Sequence, residues 1–99
     1  MTYTVYIRAS AESDIADAMQ WYSDRQPKLA INFYREFAAI VNRLANSPFM
    51  YPVVYRNVRR VVLHKFPYLV WYVVQDSQVI VIACTHGKLG PNKIAKHLM

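Results

Sequence analysis

Three apolar runs follow one another in the second half of the chain with almost nothing between them: Val58–Lys65, Tyr68–Gln75 and Gln78–Thr85. Phe66-Pro67 separates the first pair, and Asp76-Ser77 separates the second. A parallel crossover needs a dozen or more residues, so strands joined this tightly are antiparallel neighbours. Any fold this chain adopts must contain that meander and must cover one of its faces.

The first half supplies the cover. Tyr3–Arg8 alternates β-branched and aromatic residues and reads as a strand. Ser10 is placed as an N-cap, with Glu12 and Asp14 in the following turn, where the helix dipole favours acids. Ala11, Ile15, Ala18, Met19 and Tyr22 then recur at helical spacing on one stripe. Gln26-Pro27 breaks the pattern, because a residue before proline is pushed out of the α region. Pro27 opens a second helix whose stripe is Leu29, Phe33, Phe37, Ile40, Val41 and Leu44, stopped by Asn46-Ser47-Pro48. The short connection makes the two helices an antiparallel hairpin. Phe49–Asn57 holds Pro52 and no clear period, so it reads as an apolar loop. The expectation is one α+β domain over residues 1–99. Its antiparallel four-stranded sheet packs against an N-terminal helix hairpin in the order β-α-α-β-β-β, with a short helix in the tail around Lys93–His97.

With 99 residues there is room for one core, and 55% hydrophobic residues suffice to fill it. The single cysteine, Cys84, closes no intramolecular disulfide and makes no metal cluster, which fits a reducing compartment. The N-terminus carries no basic segment followed by an apolar stretch. The longest apolar runs, Leu69–Val74 and Val79–Cys84, are six residues, against the about 20 of a membrane span. A cytoplasmic protein with no membrane partner, no cofactor and no metal is expected.

Charge is segregated. Residues 1–50 hold five bases and five acids, whereas residues 51–99 hold seven bases against Asp76 alone. The whole formal charge of +6 therefore lies in the second half, with all three histidines. Solubility alone does not call for such segregation; an anionic partner does, whether nucleic acid or an acidic protein segment.

Four segments carry a resemblance. They are Ala11-x-x-Asp14-Ile15-x-x-Ala18 with Tyr22; A-I-N-F-Y-R-E-F at 30–37; R-R-V-V-L-H-K-F-P-Y-L-V-W-Y at 59–72; and V-I-V-I-A-C leading into T-H-G-K-L-G-P at 85–91. In this order the chain resembles the RelE/ParE superfamily of toxins from type II toxin–antitoxin pairs, also called plasmid stabilisation proteins. The resemblance implies a toxin that inhibits growth and a cognate antitoxin that neutralises it in a hetero-oligomer. It also implies one of two targets. RelE-like members are ribosome-dependent messenger-RNA endonucleases (mRNA interferases); ParE-like members inhibit DNA gyrase without a nuclease site.

Metal-independent RNA cleavage needs a base, an acid and cations around the reacting phosphate. Arg59, Arg60, Lys65 and Lys88 are the candidate cations, and His86 is the candidate proton carrier. Arg56, Arg59, Arg60, Lys88 and Lys93 are the candidates for binding a target. The RelE-like tail usually reads H-x-R-R and keeps a late arginine and tyrosine. Here the tail reads His86-Gly87-Lys88-Leu89, with no arginine after Arg60 and no tyrosine after Tyr72. Lysine lacks the bidentate fork of arginine, so the chain sits nearer the ParE-like branch, with endonuclease activity as the alternative. A third reading is a non-catalytic RNA-binding module in which Tyr51, Tyr55, Tyr68 and Tyr72 stack on bases. It lacks an RNP-type aromatic motif or a GXXG loop. The antitoxin is expected as an apolar helix in a groove, with the Phe49–Tyr55 loop and the helix hairpin as candidate surfaces.

Overall fold

The computed structural model describes residues 2–87. Seven elements follow in order: β1 Thr4–Ile7, α1 Ala9–Arg25, α2 Pro27–Asn46, β2 Val53–Tyr55, β3 Val58–Val62, β4 Tyr68–Gln75 and β5 Gln78–His86. The strands form one sheet in the order β1-β5-β4-β3-β2. The α+β architecture with a helix hairpin on one face is as read from the sequence. The sheet differs in having five strands rather than four, and in being mixed rather than antiparallel throughout. The tail helix expected around 93–97 lies outside the described residues.

Both differences have physical causes. β1 pairs in parallel with β5, Thr4 opposite Gln78 and Ile7 opposite Val81, because the helix hairpin returns the chain to the far edge of the sheet. β2 falls inside the stretch read as a loop. It follows Pro52 and pairs with β3 through an irregular register, so it shows no period of two. β3 stops at Val62 rather than Lys65 because the Glu36 carboxylate accepts the backbone N–H groups of His64 and, at 3.2 Å, Lys65. Those amides therefore do not join the ladder.

The main core lies between the hairpin and the sheet. Ala11, Ile15, Ala18 and Tyr22 from α1 meet Phe33, Phe37, Ile40 and Leu44 from α2, over Val61, Val70, Tyr72, Val79, Val81 and Cys84. Met19, Leu29 and Val41 from the predicted stripes pack at its margin. A smaller cluster, Val58, Trp71, Val73, Ile82 and Ala83, itself buried, lies on the opposite face, which carries no helix among the described residues and is termed the open face below. There the Trp71 indole N–H donates to the Thr85 hydroxyl at 2.9 Å. Among the described residues no helix is long and apolar enough to cross a membrane.

The β4–β5 ladder contains a bulge. Trp71 faces Ala83 and Tyr72 faces Val81, which leaves Ile82 as the extra residue. β1 has ended by this point, and α1 takes its place. Arg8 donates its N–H to the Val81 carbonyl at 2.9 Å. Ser10 Oγ donates to the Ile82 carbonyl at 2.9 Å, and the Asp14 carboxylate accepts the Cys84 N–H at 2.9 Å. Ser10 is thus not the N-cap: the helix starts at Ala9 with Arg8 in the cap position, and its hydroxyl is spent on β5. Losing the partner of a buried backbone N–H costs about 1–3 kcal/mol. Asp14→Ala is expected to destabilise by that amount in urea unfolding and to speed exchange of the Cys84 amide. Unchanged protection at Cys84 would show that the carboxylate does not hold the strand.

Candidate functional site

The structure separates the candidate residues that it describes. β3 alternates, so Arg59, opposite Tyr72, faces the helices, and Arg60, opposite Trp71, faces the open side. Arg59 is engaged internally. Its Nη1 donates to the carbonyls of Tyr51 at 2.5 Å and Phe49 at 3.4 Å, and its guanidinium lies 5.1 Å from the Phe49 ring centroid. Beside it the buried Tyr72 hydroxyl donates to the Pro48 carbonyl at 2.5 Å. Burial pushes the Tyr72 phenol up to about 12; the Arg59 guanidinium opposes that shift and Tyr51 adds to it. Arg59 and Tyr72 together pin the segment that leads into β2.

Arg60 lies with its guanidinium 5.7 Å from the centroid of the Trp71 ring on the open face. Arg56 sits in the β2–β3 turn, exposed, 5.4 Å from the Tyr55 ring. Its φ of 51° is a left-handed conformation uncommon for arginine. Lys65 stands elsewhere, in the β3–β4 connection, where it lines a cleft of about 460 Å³ with Asn32, Arg35, Glu36 and His64. His86 is on the helix side, its ring 5.3 Å from that of Tyr68 and edge-on to it. There it lines a cleft of about 350 Å³ that includes Asp17 and Trp21. Lys88 and Lys93 lie outside the described residues.

The open face also gathers residues that sequence reasoning missed. A cleft of about 340 Å³ is lined by Arg8, Tyr55, Arg56 and Asn57 with Gln75, over Val58, Val73 and Ile82. Nothing in the sequence joins Arg8 to Arg56. Both line the cleft because β1 lies beside β5, whose Ile82 forms part of the same floor. Cys84, the single cysteine, is buried; burial first and the Asp14 carboxylate second push its thiol up to about 12. It is a protonated packing residue, not a thiolate.

The family described as "ParE toxin of type II toxin-antitoxin system, parDE" matches residues 5–88. Among curated proteins, Toxin ParE2 of Mycobacterium tuberculosis, in strains CDC 1551 / Oshkosh and ATCC 25618 / H37Rv, is 26% identical over 95 residues. That alignment covers 95% of this chain and 90% of the relative. Among solved structures, the chromosomal ParDE TA system from P. aeruginosa superposes with a TM-score of 0.76 at 15% identity. It covers 86% of this chain and 96% of that one, a likeness of fold.

The geometry separates structural from available arginines. Arg59→Ala removes bonds to two loop carbonyls and is expected to cost about 1–3 kcal/mol of stability. Arg56→Ala, an exposed change that leaves the positive φ as it is, stays within about 0.5 kcal/mol. Equal midpoints for the two variants in chemical denaturation would contradict this division.

Proposed function

The chain belongs to the ParE family of toxins from type II toxin–antitoxin systems, and from that premise we propose that it arrests growth by binding DNA gyrase rather than by cleaving RNA. The observation that carries this reading is the dispersal of the candidate catalytic groups among the described residues. A general base, a general acid and the cations that steady the phosphate must all lie within hydrogen-bond reach of one reacting group. Here Arg59 is spent on loop carbonyls, Arg60 faces the open side, and His86 stands against Tyr68 under the helices. Inhibition by binding needs only a surface, and the open face offers Arg60 and Arg56 with Arg8 beside them.

A cognate antitoxin neutralises the toxin in a hetero-oligomer, in the cytoplasm. The exposed apolar side chains of Phe49, Met50, Val53 and Val54 are the surface we assign to it. Four large apolar groups so close in sequence are costly to leave in water. The formal charge of +6 steers an acidic segment toward them.

Purified gyrase is expected to lose supercoiling activity when the toxin is added, with transcript ends on translating ribosomes unchanged. Arg56→Ala combined with Arg60→Ala should lift growth inhibition while the protein stays folded. Codon-positioned cuts with gyrase unaffected would establish the endonuclease instead. Full toxicity of the folded double variant would move the contact off the open face.

A further inference from the structure

Two guanidinium groups, Arg8 and Arg56, line the same cleft of about 340 Å³ on the open face. Both are cations in one cleft, and no carboxylate among its described lining residues stands beside them. After Glu36 the sequence contains a single acid, Asp76, in the neighbouring β4–β5 turn. The basic cleft between α2 and the β3–β4 connection is different. There Arg35, His64 and Lys65 surround the Glu36 carboxylate, which the fold itself supplies.

The remaining polar wall of the open-face cleft consists of the Asn57 and Gln75 side-chain amides and Tyr55. Each amide offers two N–H donors and each guanidinium five. This is a donor-rich site without an acceptor charge. Arg56 holds its place in a left-handed backbone conformation, φ 51°, that glycine or asparagine adopts more easily. The two-residue β2–β3 hairpin calls for that conformation, as the β4–β5 hairpin does at Asp76, φ 55°, so the turn itself fixes where Arg56 stands.

We propose that this cleft is a seat for a phosphate ester, held by the forked guanidiniums of Arg8 and Arg56 and by amide donors from Asn57 and Gln75. A phosphate offers more acceptor lone pairs than a carboxylate and so matches the number of donors better. The ester belongs either to a nucleic-acid backbone or to a free nucleotide. The seat lies on the face assigned above to the target but does not depend on the target being gyrase. Its test uses purified protein and phosphate probes alone, so either reading can fail without the other.

The test measures binding of a short fluorescent DNA duplex, of ADP and of inorganic phosphate to the full chain and its variants. Lys28→Gln, an equal loss of charge on exposed α2, is the control, and a glutamate-rich peptide tests for a carboxylate ligand. Arg8→Gln and Arg56→Gln are each expected to weaken phosphate binding by about tenfold or more, the loss of one charge-assisted contact. Lys28→Gln should change it little. Arg56→Lys, which keeps the charge and loses the fork, should fall between. Arg56→Gly should raise the melting temperature while losing affinity, which separates the ligand role from folding. Retention of the duplex but not ADP identifies the nucleic-acid backbone as the source, and comparable affinity for ADP identifies a nucleotide; both support the seat. Equal weakening by Lys28→Gln, failure of every phosphate probe to bind, or binding of the acidic peptide alone would overturn it.

Discussion

Where β1 ends at Ile7, β5 still has to run from Ile82 to His86, and on that side no strand among the described residues accompanies it. Buried peptide groups cannot be left unpaired, since each costs as much as a lost hydrogen bond. α1 meets the need with side chains. Ser10 donates to the Ile82 carbonyl, and Asp14 accepts the Cys84 N–H. One helix therefore does two things at once: its apolar stripe seals the main core, and its first turns stand in for a missing strand. The bulge at Ile82 falls at this handover, which lets consecutive residues Ile82 and Ala83 both join the open-face cluster.

Much of the surface chemistry follows from that stitching. With β5 fixed, β4 presents Tyr72 to the helices and Trp71 to the open side, and β3 must place Arg59 and Arg60 to match. Arg59 is drawn into the carbonyls ahead of β2, beside the Tyr72 hydroxyl. Arg60 is left over the indole of Trp71. The basic half of the chain is thus divided by the pleat of the sheet, one arginine serving the fold and its neighbour facing outward. Among the described residues its cations do not converge on a single centre.

The meander and the helix hairpin were legible because their signals are local: tight connections and helical periodicity depend on neighbouring residues. The partner of β1 was not, because parallel pairing with β5 is decided by where the hairpin delivers the chain. β2 was hidden by Pro52 and an irregular register. Ser10 and Asp14 looked like ordinary first-turn residues; their partners, Ile82 and Cys84, lie some 70 positions away. The paired Arg59-Arg60 was visible, but the division of labour between them depends on which face of β3 meets the helices. Arg8 gave no signal at all, since its neighbours in the cleft come from β2, β3, β4, β5 and the β2–β3 turn.

The proposed contact sets the open face, and not the helix side, against the target. Hydrogen–deuterium exchange of the intact toxin, with and without purified gyrase, tests this directly. The prediction is slowed exchange in residues 53–60 and 71–75, with α1 and α2 unchanged. Protection confined to the two helices, or none anywhere while supercoiling is inhibited, would contradict it.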